Sequence, residues 1–128
     1  MGAHDHQSMA LEASMATTLD VLAWEIELAG ARCIFLDKVI GETMKSLPVE
    51  QQGMMIEGLH AVDLLSQHLT NLSAFARTLS ADAPGTASAP IGRAIGDITL
   101  GALADRMATA FGAEEVAADV DAGDVDLF

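Results

Sequence analysis

Two long stretches of this chain carry apolar residues at alternating three- and four-residue steps, and one proline separates them. In the first, from about Ala10 to Ser46, they fall at Met15, Leu19, Leu22, Ile26, Ala29, Cys33, Leu36 and Ile40, and the pattern runs on to Leu47. In the second, from about Pro48 to Ala81, the seam reads Met55, Gly58, Val62, Leu65, Leu69, Leu72, Ala76 and Leu79, with Leu59 and Phe75 widening the stripe. That spacing puts each set on one side of an α-helix, and over many turns it is the signature of helices packed lengthwise. At ~1.5 Å per residue the first helix spans about 55 Å. Gly30 and Gly41 weaken it by roughly 1 kcal/mol each relative to Ala. Pro48 suits the first turn of a new helix, where its missing N–H costs nothing, and Glu50 then lies near the positive end of the helix dipole. So short a connection makes the two helices antiparallel neighbours.

The predicted architecture is all-α: a long antiparallel hairpin over residues 10–81. Residues 1–9 are expected to be a disordered leader containing His4 and His6. Asp82–Pro90, rich in Pro, Gly, Ser and Ala, reads as a linker. A shorter third helix is expected over 91–111, its stripe formed by Ile91, Ile95, Ile98, Ala102, Leu103, Met107 and Phe111. Residues 112–128 hold six acidic residues and no basic one, and are expected to form a flexible acidic tail. A hairpin of this length leaves an apolar stripe that needs a cover. The third helix is one candidate. The width of the stripe on the second segment favours the other, a homodimer in which two hairpins make a four-helix bundle.

Composition excludes several functions. The net charge of −13, with only six Lys or Arg, leaves no basic stripe for a nucleic-acid backbone or an anionic membrane surface. Aromatic residues make up 4% and there is no Tyr, which favours packed helices over a β-sandwich. Cys33 is the single cysteine, so no intrachain disulfide is possible and a cytoplasmic location is expected. No apolar run reaches the ~18–20 residues of a membrane span, and the N-terminus lacks the charged flank and apolar core of a signal peptide.

Within the second segment, Asp63-Leu64-Leu65-Ser66-Gln67 sets a carboxylate and a carboxamide four residues apart, on one helix face and away from the seam. His60 and Asn71 extend them into one polar strip. The ordinary fate of such a strip is a solvated helix face. A D-x-x-x-Q on a long helix also resembles the active face of CheZ-type phosphatases and their shorter CheT-like relatives in chemotaxis systems. That resemblance covers the hairpin and the terminus, about half the chain. It implies binding to a CheY-like response-regulator receiver domain and hydrolysis of its aspartyl phosphate. Gln67 would then position the attacking water and Asp63 would pair with the receiver's lysine. No cofactor of the chain's own is implied, and Mg²⁺ is expected in the partner receiver. His60 and Asn71 are rim contacts without a family role. CheZ-type proteins end in an acidic-apolar docking segment, and here Val125, Leu127 and Phe128 interleave with Asp124 and Asp126. The chain is much shorter than a full CheZ, and its third helix stands where a tail linker would run.

Four other readings compete, one of them a purely structural bundle such as a dimeric scaffold whose stripe binds a partner helix. A non-catalytic adaptor would bind receivers or other chemotaxis proteins without hydrolysis. A histidine phosphotransfer bundle would use His60 or His68, but Asp63 beside His60 repels an incoming phosphoryl group. A carboxylate-bridged metal bundle matches Glu57-Gly58-Leu59-His60, with Glu25 and Glu27 on the first helix, but lacks the second Glu-x-x-His pair. Cys33 reads as a small seam residue.

Overall fold

The computed structural model describes residues 11–123, with side chains described through 112. The chain is mostly helical, and its two longest helices pack against each other as a hairpin. In chain order the elements are β1 (Glu12–Ser14), α1 (Met15–Met44), α2 (Val49–Asp82), β2 (Ser88–Pro90), α3 (Gly92–Gly96) and α4 (Gly101–Gly123). Among the described residues no helix is long and apolar enough to cross a membrane. The chain divides into two compact units, one over Leu22–Thr78 and one built from the described residues before and after it. The expected leader over 1–9 and the terminal Val125, Leu127 and Phe128 lie outside the described residues.

The Leu22–Thr78 unit is the antiparallel pair of α1 and α2. Three tightening bonds end α1: the N–H groups of Lys45, Ser46 and Leu47 donate to the carbonyls of Glu42, Thr43 and Met44. Gln52 then reaches back, its Nε2 donating to the Leu47 carbonyl at 3.1 Å and the Met44 carbonyl at 3.4 Å. The first turn of α2 is thus tied to the connection that ends α1.

The seam between the helices differs from the expected one by a rotation. Ala23 and Gly30 are buried and Ile26, Cys33, Asp37, Ile40 and Met44 half-buried along α1. Along α2, Ser73 and Ala76 are buried and Gln52, Met55, Leu59, Val62, Ser66 and Leu69 half-buried. With the seam positions of a heptad written a and d, the expected d residues Ile26, Cys33, Ile40, Met55, Val62, Leu69 and Ala76 are in place. At a, the expected Leu22, Ala29 and Leu36 give way to Ala23, Gly30 and Asp37. In the same way Leu65 and Leu72 give way to Ser66 and Ser73, and Leu65 and Leu72 remain 49% and 52% exposed. The cause is steric. Small side chains at a let two backbones approach, and a Cβ built on Gly30 would lie 3.9 Å from the Leu69 Cβ. A leucine in every seam position would hold the helices further apart. The Ser73 hydroxyl costs little there because it donates to the Thr70 carbonyl at 3.0 Å.

The second unit is built where sequence periodicity predicts only a helix start and a linker. Glu12, Ala13 and Ser14 pair antiparallel with Pro90, Ala89 and Ser88. The Ile91 N–H donates to the Leu11 carbonyl at 2.8 Å and the Met15 N–H to the Ala87 carbonyl at 2.9 Å. Ser14 closes the strand and starts α1: its Oγ accepts from the Thr17 N–H at 3.0 Å, a cap on an otherwise orphaned donor. Val21, Ile91 and Phe111 form a small core, with Leu11, Ala13, Ile95, Met107 and Ala110 against it. The Ser80 hydroxyl donates to the Ala16 carbonyl at 2.9 Å.

Instead of one helix over 91–111 there are two. The Gly96–Gly101 stretch, glycine at each end, lets the chain turn so that α3 packs on α4. Helix α4 also runs on to Gly123, through the first part of the segment expected as a flexible tail.

Two substitutions check this account. Gly30→Ala fills open space at ordinary contact distance and relieves a helix-interior glycine, so it raises stability by about 0.5–1 kcal/mol in a urea titration. Ser14→Ala removes the cap and lowers stability by about 1 kcal/mol in the same measurement.

Candidate functional site

Rotation of the seam fixes where every other side chain on the hairpin points. In an antiparallel pair the e rows of both helices meet on one flank and the g rows on the opposite flank. The e flank is marked by an ion pair: Arg77 Nη2 donates to Glu27 Oε1 at 2.8 Å and Arg77 Nε to Glu27 Oε2 at 3.1 Å. This two-pronged geometry links α1 to α2 and sets their register.

Asp63 lies on the same e flank of α2, with Gln67 beside it one turn on. Both are exposed, as the sequence predicts, and so are His60 and Asn71. Gln67 Nε2 donates to Asp63 Oδ2 at 3.0 Å. Asn71 Nδ2 donates to the Gln67 backbone carbonyl at 2.8 Å. Asp63, Gln67 and Asn71 therefore form one bonded series, and His60 shares the strip a turn earlier. The bond to Asp63 also orients the amide. With Nε2 directed at the carboxylate, the Gln67 Oε1 is the group offered to a donor arriving from solvent. Asp63 keeps Oδ1 for a cation.

On α1, a Cβ built on Gly41, at the e position after Ile40, meets nothing within 4 Å.

The rival sites fare differently. Glu57 and His60 are both exposed, whereas a metal bundle needs such pairs aimed into the core. Among the described residues no three His, Cys, Asp or Glu side chains converge. His68, placed beside the seam by sequence, is exposed. Cys33 is half-buried at a seam position. Val125, Leu127 and Phe128, the expected docking residues of the terminus, lie outside the described residues.

Residues 11–128 match the family model described as Domain of unknown function (DUF8776), and the chain belongs to that family. No curated protein and no solved structure matches it.

Because the strip is exposed and its bonds are local, it carries little of the fold. Gln67→Ala and Asp63→Ala each change unfolding free energy by less than about 0.5 kcal/mol in urea titrations. Arg77→Ala costs less than about 1 kcal/mol, because its ion pair is well exposed to solvent.

Proposed function

We propose that this protein binds a response-regulator receiver domain in the cytoplasm and promotes hydrolysis of its aspartyl phosphate, as CheZ-type chemotaxis phosphatases do. The observation that supports this reading is the Gln67–Asp63 hydrogen bond on an exposed flank of a long hairpin. The bond leaves the Gln67 oxygen directed to solvent, where it can accept from a water on a docked partner.

The chemistry follows from those two groups. A phosphorylated receiver brings its own Mg²⁺ and lysine to the phosphoryl group. What it lacks is a water fixed in line with phosphorus. Gln67 Oε1 accepts one hydrogen bond from that water and restricts its orientation, lowering the entropic part of the barrier. The water oxygen forms a bond to phosphorus as the bond to the receiver's aspartate breaks, and the water proton leaves on the phosphate. The transition state is loose and demands little early proton abstraction, so a carboxamide suffices where a base is absent. Asp63 Oδ1 pairs with the receiver's lysine and sets the docking register. His60 and Asn71 lie at the rim. The terminal Val125, Leu127 and Phe128 supply a second, tethered contact that raises the local concentration of receiver.

The decay of a phosphorylated chemotaxis receiver, with wild-type protein and variants, tests this. Wild type accelerates decay, and Gln67→Ala loses about 100-fold of that acceleration while receiver binding persists. Asp63→Ala weakens binding itself. Binding without acceleration by wild type would make the protein an adaptor. Neither binding nor acceleration with any chemotaxis receiver would end the assignment.

A further inference from the structure

The hairpin carries a second seam beside the one it uses. Row d, with Ile26, Cys33 and Ile40 on α1 and Met55, Val62 and Leu69 on α2, belongs to both. On one side of it lies row a, whose small and polar residues pack in the structure. On the other lies row g, with Leu22, Ala29 and Leu36 on α1 and Leu65 and Leu72 on α2. Rows d and g repeat at the same three- and four-residue steps as rows a and d, so either pair forms a complete helix–helix seam. The four leucines are between 44% and 52% exposed. Ile34, Phe35, Ile56 and Leu64 are exposed as well, but they lie in the e and f rows, interleaved with Glu27, Glu42, Glu57 and Asp63 and away from d.

Opposing forces act on the two seams. Apolar burial favours d with g, because row g offers leucine where row a offers Ala23, Gly30, Asp37, Ser66 and Ser73. Close approach favours a with d, and two polar clasps go with it. The Glu27–Arg77 pair joins the e rows. It is well exposed, so its contribution is small. Gln52, in row a, donates to the Met44 and Leu47 carbonyls. Its chain neighbour Gln51 stands in row g and is exposed. Each seam thus has a glutamine at the end that meets the connection.

We propose that α1 and α2 exchange between two packings, the close seam through a and d and a leucine seam through d and g. Seven rows divide the circumference of each helix, so each rotates about its own axis by about 50°. Cys33 and the rest of row d stay inside in both states. Leu22, Leu36, Leu65 and Leu72 enter the seam while Asp37, Ser66 and Ser73 leave it. The e rows move apart, which separates Glu27 from Arg77, and Gln51 replaces Gln52 at the connection. Asp63 and Gln67 share a helix and keep their bond, but their strip turns away from α1. The exchange sets the direction in which the strip faces, and a ligand that meets it in one state alone shifts the balance. The proposal rests on the rows and does not depend on the receiver reading.

The native Cys33 thiol reports on both states. A Cβ built on Gly30 lies 3.9 Å from the Leu69 Cβ, so one turn along the antiparallel pair Cys33 stands opposite Ser66. Three variants of the full chain each add one thiol: Ser66→Cys for the close seam, Leu65→Cys for the leucine seam, and Leu64→Cys, in row f, for neither. Oxidation with copper phenanthroline, followed by peptide mass mapping, gives the rate of disulfide formation with Cys33 within one chain, which requires Cβ atoms about 4 Å apart. Ser66→Cys and Leu65→Cys both cross-link, and Leu64→Cys does so at least ~10-fold more slowly than either. Adding Arg77→Ala raises the rate for Leu65→Cys and lowers it for Ser66→Cys, shifting their ratio by up to about fivefold. About 0.5 M NaCl shifts it the same way without a substitution. Far-UV circular dichroism verifies that each variant keeps its helices. Cross-linking by Ser66→Cys alone, equal rates for Leu64→Cys and Leu65→Cys, or a rise in both seam rates together on loss of the ion pair would overturn the proposal, the last because it marks loosening and not exchange.

Discussion

The close approach of α1 and α2 through small side chains is the constraint on which the hairpin's other properties depend. Ala23, Gly30, Ser73 and Ala76 are the buried residues of that seam. Their size brings the helices together, and their position in the heptad decides which flank each remaining residue occupies. The same rotation that hides Ser73 exposes Leu72. It sets Asp63 on the flank marked by Glu27 and Arg77. A seam built from leucines would shift each a row by one residue and re-aim both flanks.

Much of the fold could be read from the residues. Both long helices, the break at Pro48 and the outward placement of Asp63 and Gln67 are properties of local sequence. They depend on period and on proline, signals carried within a few turns of chain. The rotation was not legible for a physical reason. Hydrophobic periodicity ranks positions by apolar size, whereas at Ala23, Gly30, Ser66 and Ser73 the seam takes a small residue in place of the larger one before it. Strands β1 and β2 escaped because three residues are too few to show alternation, and their partners lie far away in sequence. The interruption between α3 and α4 had a local signal in Gly96 and Gly101, but the apolar stripe across it pointed the other way.

At the candidate site the sequence supplied the two side chains, and the structure added what joins them. A D-x-x-x-Q spacing says only that two groups share a face. The bond from Gln67 Nε2 to Asp63 Oδ2 says which end of the amide is directed outward.

The pairing of Glu12–Ser14 with Ser88–Pro90 has a consequence for the order in which the molecule is made. Ser88 bonds to Glu12 across 76 positions of chain. The core that joins Val21 to Ile91 and Phe111 cannot close until nearly all of the described chain has emerged. The seam of the Leu22–Thr78 unit needs only contacts between neighbouring helices across a tight turn, so it forms early and at low entropic cost. Synthesis from the N-terminus therefore leaves Leu11, Ala13 and Val21 waiting beside a finished hairpin. The first turns of α1 are made before the rest of the hairpin and are among the last of these residues to find their partners.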